Sequence, residues 1–561
     1  MKKYKNFKFC FLLLLTTVSC TKLDEGLNSR LTNGQTANAL GAAGVGLLLQ
    51  GAYADLGGTF TAQDLLFCLQ ENTSDEALVP TRGGDWDDNG VWRVLHNHTW
   101  NADHAYVLNV FNSLNKLNFD ATNVLGFSPS ATQAAQAKFL RALSLYYLLD
   151  LYGQYPVRNP GDNLLNAPTV KTGAPASQFI IDELVAAIPN LPTTGGAGVA
   201  TKNAGNTLLM KCYLNRGAWA NRATPTFADA DMQQVITIGN SIIASGNYTY
   251  MSEYFKNFDA LNSSSTENIF TIINNSGSAA NVSDVRGEWC RTLHYNQETS
   301  TAPNSGWNGF TTVSDFYNSF TTGATPAVDL MVGVTNYASD KSGRYKDTSV
   351  DSRVGARYYP GITNMSGMRP GFMIGQQYNE AGVLLKDRKT PANLLQFDPA
   401  IAADMKETGN NLEMTGIRVI KYGPDFTNGS AYYQSNSGND EVIFRYADVV
   451  LMVAEAKLRA AAPDAVGALA LVNGLRVARK ATPLTSLILV NTANLYAGNA
   501  LLTERGRELY WEKARRTDLI RFGMFTKIWQ YKPTDDPKYL VFPVPSQALA
   551  ANPNLVQNPG Y

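Results

Sequence analysis

The chain is short of the residues that build covalent scaffolds and most active sites. Five cysteines and four histidines serve 561 residues, and with no CxxC spacing they offer neither a disulfide framework nor a zinc cluster. Charge of one sign is also missing: 47 Lys and Arg meet 47 Asp and Glu, and only 17% of residues are charged. A nucleic-acid binder carries a basic surplus to neutralise phosphates, so no nucleic acid is expected as a partner. No apolar run approaches the roughly 20 residues that span a bilayer. The Walker A loop, the GxSxG elbow, HExxH and the Rossmann fingerprint are all absent, and no cofactor is expected. Aromatics, by contrast, are plentiful at 11%, with 27 Tyr, 24 Phe and 8 Trp. A chain of this length can bury a large core, which excludes disorder and small disulfide scaffolds.

The first twenty residues read as an address. Lys2, Lys3, Lys5 and Lys8 precede the apolar run Phe9 to Leu15, followed by Thr16, Thr17, Val18, Ser19 and Cys20. A cationic start, a short apolar core and small residues before a break describe a secretory signal over residues 1–19. Cys20 stands where a bacterial lipoprotein signal has its lipidated cysteine, although Thr17 replaces the Leu of that pattern. Lys22-Leu23-Asp24-Glu25 resembles the acidic tag that exports lipoproteins of the Bacteroidetes to the cell surface. Acylation at Cys20 would anchor the protein stably at the outer membrane, since two acyl chains already suffice. Without the leader's four lysines, 43 bases face 47 acids, and the mature chain carries about −4. Of the remaining thiols Cys68, Cys212 and Cys290, Cys212 lies in an apolar helical pattern and is expected in the core.

Helical period organises much of the rest. A packed helix is expected over Ala42 to Leu56. In Ala137 to Leu151, apolar residues at 139, 140, 143, 146, 147 and 151 share a face, Gly153 ends the helix and Pro156 fixes an extended exit. Similar patterns cover about 178–188, 204–219 and 228–244, then Phe444 to Ala461, Asp464 to Lys480 and Leu501 to Phe525. The spacing of the first set hints at a tetratricopeptide-like array. Residues 262–440 differ, being rich in Asn, Ser, Thr, Gly, Tyr and Trp, and should form loops and short strands. The expected fold is therefore mostly α: a helical region over 20–250, and a region over 251–561 that includes the long irregular insert.

Four segments together resemble the SusD/RagB family of outer-membrane nutrient-binding lipoproteins. They are Ala137 to Pro156; Arg445-Tyr446-Ala447-Asp448 through Glu455-Ala456; Glu504-Arg505-Gly506-Arg507-Glu508-Leu509 through Arg515-Arg516-Thr517-Asp518-Leu519-Ile520-Arg521-Phe522-Gly523; and the tail Phe542-Pro543-Val544-Pro545 to Gln557-Asn558-Pro559-Gly560-Tyr561. The resemblance implies a hinged lid on a SusC-like TonB-dependent transporter, with the helices facing that partner and an arc of aromatics cradling an oligosaccharide. Peptide capture, as in the RagB branch, is the alternative within the family. The residues themselves point to structure. Arg445, Asp448 and Glu455 lie on an otherwise apolar helix, as does Arg141, and Arg515, Arg516 and Asp518 sit near the last one. Charges in such places need partners, so Arg–carboxylate pairs that fix helix register are expected, not catalysis. The prolines and glycine of the tail should dock a C-terminal arm on the surface.

Ligand contact is expected from the segment Ser74 to Trp92. Trp86 stands between Gly-Gly-Asp and Asp-Asp-Asn with no apolar neighbour to bury it, whereas Trp92 beside Val91 looks like core. An exposed indole suits the C–H face of a sugar, while Arg82, Asp85 and Asp87 can bond hydroxyls. The insert offers Trp289, Tyr295 and Trp307, the last in the turn Asn304-Ser305-Gly306-Trp307, where Asn304 adds a polar contact. The alternative for each ring is that it braces a long loop. His96, His98 and His104 cluster without a neighbouring Cys or paired acid, so no metal site is expected. Asp87-Asp88 and Asp75-Glu76 could supply the two carboxyls of a glycoside hydrolase, the rival from another class. Neighbouring acids on an extended segment point apart, and such acids are more often solvated surface or a loose calcium site.

Overall fold

The computed structural model describes residues 33–285, 287–297, 306–321, 351–355, 369–378, 383–425 and 437–561. The leader, Cys20 and Asn304 lie outside them. The helices are α1 Asn33–Thr61, α2 Leu66–Gln70, α3 Val91–His96, α4 Ala105–Leu125, α5 Ala131–Tyr152, α6 Gly173–Ala187, α7 Lys202–Ala220 and α8 Asp229–Ala244. After the short α9 Gly287–Cys290 and α10 Ser314–Asn318 come α11 Tyr446–Arg459, α12 Ala465–Ala478, α13 Leu501–Leu509, α14 Arg515–Arg521 and α15 Ser546–Ala551. None of the described helices is long and apolar enough to cross a membrane.

The array grows by neighbour on neighbour: α1 packs on α4, α4 on α5, α5 on α6, α6 on α7 and α7 on α8. The chain then leaves for the insert and returns as α11, which closes against α8 and α12. This is the tetratricopeptide-like scaffold the spacing predicts. Local chemistry sets the ends. Ser130 and Gln133 form a reciprocal capping box before α5, and Gly153, at φ 70°, ends that helix because a Cβ would clash in the left-handed turn. The sequence suggests one apolar face for α5. The structure buries it on every side from Phe139 to Tyr152, including Ser144 and Asp150, because α1, α4, α6 and α7 surround it.

Two helical expectations need correction. The run from Leu501 to Phe525 is two helices, broken at Tyr510 to Ala514, where Trp511 and Lys513 adopt positive φ. The break turns the backbone N–H groups of Trp511 and Lys513 onto the buried carboxylates of Glu76 and Glu71. Helix α4 has no counterpart among the expected helices. Its face of Val107, Val110, Phe111, Leu114, Leu117, Ala121 and Val124 is buried, but five asparagines give the stretch the composition of a loop.

Short strands punctuate the insert. Gly371–Met373 pairs with Arg418–Ile420, and Gly375–Gln376 pairs with Gln396–Phe397. An antiparallel pair, Asn268–Ile272 with Glu441–Arg445, clamps the two ends of the insert together. The tail docks as expected: Phe542 N–H bonds Leu151 O, Asn558 bonds the carbonyls of Tyr152 and Phe542, and Tyr561 accepts from Trp100. The histidines are braces. His96 spans Ala77 O and Gln530 O, His98 contacts Asp535 and Thr73 O, and His104 reaches Val91 O. Cys68, Cys212 and Cys290 are buried free thiols.

The motif charges find the partners that burial demands. Arg445 meets Glu267, Glu508 and Glu512. Asp448 lies between Lys211 and Arg505, Arg141 bonds Glu183, Arg516 reaches Asp150, and Asp518 pairs with Arg505 and Arg521. Arg515 holds Asp75 through two 2.7 Å bonds. Asp75 and Glu76 are therefore core groups rather than a solvated acidic loop. Glu508 is the hub, taking Arg445 at 2.6 Å, Arg479 at 2.8 Å and Arg353 at 3.3 Å. Replacing Glu508 by Gln removes the one carboxylate shared by three buried guanidiniums, leaving Arg445 on Glu267 and Glu512, Arg479 on Glu267, and Arg353 on Asp351 and Glu504. The expected loss is about 3–5 kcal/mol, read as a lower urea midpoint at unchanged m-value.

Glu455 gives a pH signature. Burial raises its carboxyl, but Arg521 and Arg459 outweigh this and hold it at about 2, below the ordinary 4.5. A depressed carboxyl stabilises the fold fully above pH 4.5 and loses that contribution as pH falls towards 2, an effect of about 3 kcal/mol. Urea titrations should show a shallower stability decline over that window in Glu455→Gln than in the parent. Equal slopes would place the acid sensitivity elsewhere.

Candidate ligand-binding site

The segment Thr81–Arg82 forms a parallel pair with Lys406–Glu407, and Leu78 exchanges backbone bonds with Thr311. It is thus held between two pieces of the insert. Arg82 is only 1% exposed. Its guanidinium donates to Leu412 O at 2.7 Å, to the Thr415 hydroxyl at 2.9 Å and to Thr415 O at 3.0 Å. Arg82 therefore anchors the loop from beneath, and the hydroxyl-binding role expected for it is corrected to a positioning one. Reciprocal backbone bonds between Arg82 and Asp85 then close a tight turn with Gly83 at φ 67°.

Beyond the turn, Trp86, Asp88 and Asn89 all adopt positive φ, a costly conformation for residues with a Cβ. Trp86 is half-buried. Its indole N–H donates to Trp307 O at 2.8 Å, and its ring meets Phe310 edge-on at 5.6 Å and Trp92 at 5.9 Å. The indole rests on Gly309, where a Cβ would sit 2.4 Å from its nearest ring atom. Trp92 is core as expected, and its N–H bonds Asp88.

The insert supplies the facing wall. Trp307 N–H bonds Cys290 O at 2.6 Å, Asn308 N–H bonds Leu293 O, and Gly309 and Phe310 both bond Arg291 O. This pairing sets Trp307 and Tyr295, both half-exposed, on adjacent arms. The Tyr295 hydroxyl donates to the exposed Asp85 at 3.0 Å. Burial first, and then Asp85, push that hydroxyl up to about 12. The structure thus brings together Trp86, Asp85, Tyr295 and Trp307, which sequence spacing leaves some 200 residues apart. Asp87 lies on the rim, paired with Arg93 at 3.0 Å. Trp289 is fully buried and is corrected from ring platform to core.

One neighbour escaped the sequence reading. The Arg388 guanidinium lies 3.7 Å from the Tyr295 ring centroid and forms a 2.5 Å ion pair with Glu413. Beneath it, His294 Nε2 approaches Asp387 at 3.3 Å and Glu413 at 3.5 Å. These three side chains have the donor set of a divalent-cation site. However, His294 Nδ1 accepts the Asn296 N–H at 3.0 Å, which places the imidazole proton on Nε2, facing the carboxylates. The cluster is a hydrogen-bonded brace. The basic run Lys386 to Lys389 was visible in the sequence, but its partners were not.

A helical array that carries a loop-rich insert and gathers rings from two distant segments onto one face defines the class of scaffold. The chain belongs to the SusD family, whose profile matches residues 266–561. It is 25% identical over 515 residues to the starch-binding protein SusD of Bacteroides thetaiotaomicron, covering 88% of this chain and 85% of that one. A SusD superfamily structure from Parabacteroides distasonis superposes with a TM-score of 0.64 at 17% identity, covering 95% and 100% of the two chains. Surface glycan-binding protein A of Bacteroides thetaiotaomicron, solved with laminarihexaose, gives 0.59 at 14% identity over 92% and 98%. Both likenesses are of fold.

Gly309→Ala tests the shelf under Trp86. The added methyl is expected to displace the indole at about 1–3 kcal/mol of overpacking, with a changed near-ultraviolet circular dichroism signal. An unchanged signal would mean that the backbone yields instead.

Proposed function

We propose that this protein is a non-enzymatic, surface-exposed lipoprotein of the outer membrane, anchored through Cys20, that captures oligosaccharides for a SusC-like TonB-dependent transporter. The observation that carries the reading is the convergence of Trp86, Tyr295 and Trp307 with Asp85 on one loop-borne face. Half-exposed rings beside a carboxylate offer what a glycan needs, an apolar face for its C–H surface and acceptors for its hydroxyls. A starch-binding relative and a structural neighbour solved with laminarihexaose support the same ligand class. By analogy with base stacking, each ring contributes ~1–3 kcal/mol. Two rings and a few hydrogen bonds then give affinities of ~mM to µM, suited to capture and release. The acids of the loop act as acceptors: Asp85 takes Tyr295, Asp87 takes Arg93 and Asp88 takes Trp92. No turnover is expected.

Affinity gels cast with plant, host and microbial polysaccharides test the reading. At least one glycan should retard the protein, and Trp86→Ala or Trp307→Ala should abolish the retardation while leaving the thermal midpoint within a few degrees. Full retention by both variants would move the site elsewhere, and release of reducing sugar would turn the reading into a hydrolase.

A further inference from the structure

We propose that the glycan taken by this site is acidic, with a uronate-type carboxylate seated on Arg388; this rests on the glycan-capture reading and names its substrate class. A surface arginine normally trades conformers freely in water, because its long stem carries much rotamer entropy. Arg388 is held on two sides although its side chain is 48% exposed. Glu413 engages one edge of the guanidinium, Nη2 at 2.5 Å and Nε at 3.4 Å, and the Tyr295 ring packs against it at 3.7 Å.

The support under that edge is itself buried. Glu413 is 3% exposed and Asp387 1%. The His294 Nε2 proton lies between the two carboxylates, and Asp387 also accepts Thr390 N–H at 2.8 Å, pinning the loop that carries Arg388. Burial raises Glu413, but His294 and Arg388 outweigh it and hold the carboxyl at about 2, so Glu413 stays ionised throughout the neutral range.

With Nε–H and one Nη2–H committed to Glu413, the second Nη2–H and both Nη1–H groups bond no described residue, and the Nη1–Nη2 edge still presents two parallel N–H groups. A planar, oriented fork matches a carboxylate better than a scatter of hydroxyls, because parallel N–H groups suit two coplanar oxygens. Lys386 and Lys389 are exposed beside it and form no ion pair with described residues. Three cations on one short loop stand out against a mature chain of about −4. Of the acids nearby, Asp387 and Glu413 are buried beneath the loop, Asp87 is answered by Arg93, and the exposed Asp85 accepts the Tyr295 hydroxyl. A sugar lying against Tyr295, Trp86 and Trp307 would therefore meet the exposed guanidinium and ammonium groups of this loop at its Tyr295 end.

The test compares each of several uronate polysaccharides, polygalacturonate, alginate, glucuronoxylan and hyaluronan, with its own carboxyl-reduced form in affinity gels. At least one acidic member should be retained tenfold or more over its reduced partner, and 0.5 M salt should narrow the gap. Arg388→Gln should erase the preference, so that each acidic polysaccharide and its reduced partner are retained alike by the variant, and Lys386→Gln with Lys389→Gln should weaken the preference several-fold if Arg388→Gln folds poorly. Equal retention within every pair, or a preference that survives Arg388→Gln, overturns the acidic assignment but leaves glycan capture standing. Retention of no polysaccharide, neutral or acidic, overturns both.

Discussion

Glu508 holds three guanidiniums in the buried core, and the rest of the protein is arranged so that this is tolerated. Its carboxylate takes Arg353, Arg445 and Arg479, which reach it from the insert, from the strand leading into α11 and from the end of α12. Its backbone oxygen takes Arg445 again and the Tyr254 hydroxyl. A carboxylate in low dielectric is tolerable only when cations and hydrogen bonds surround it completely. Satisfying Glu508 therefore fixes at once where α11, α12, α13 and the middle of the insert sit relative to one another.

The same logic runs on towards the face of rings. Gln70 to Glu76 are seven consecutive polar residues with no exposure, and α14 with the turn before it supplies donors to them. Arg515 holds Asp75, Lys513 N–H meets Glu71 and Trp511 N–H meets Glu76. From this anchored stretch the chain runs through Leu78 and Arg82 into Trp86. The ring face is thus carried on loops whose roots are tied down by buried ion pairs and hydrogen bonds, which is how an irregular insert can present aromatic side chains together.

Much of the scaffold was legible along the chain. Helix α5 announces itself through the period of its apolar residues and through Gly153, since both depend on local geometry. Arg445, Asp448, Glu455 and Arg515 on apolar helices signalled ion pairing before any partner was known, because an unpaired charge there is untenable. Helix α4 was hidden by its asparagines, which carry a loop's composition while its buried face keeps helical spacing. The break after Leu509 was hidden for a different reason: the groups that stabilise it, Glu71 and Glu76, lie more than 400 positions away.

The ring face divides in the same manner. Trp86 stands out because nothing near it in the chain could bury it, Trp307 because it sits in a polar turn, and Tyr295 only as one of the rings of the insert. By itself the amino-acid sequence determined the helical frame, the need for buried ion pairs and the presence of unsheltered rings, since each follows from neighbours within a few turns. Only the tertiary structure decided that Trp289 is core, that Arg82 supports the loop from below, and that Arg388 is braced over Tyr295. Those outcomes depend on contacts across tens to hundreds of residues, where proximity is set by how charges and apolar faces are jointly satisfied and not by spacing along the chain.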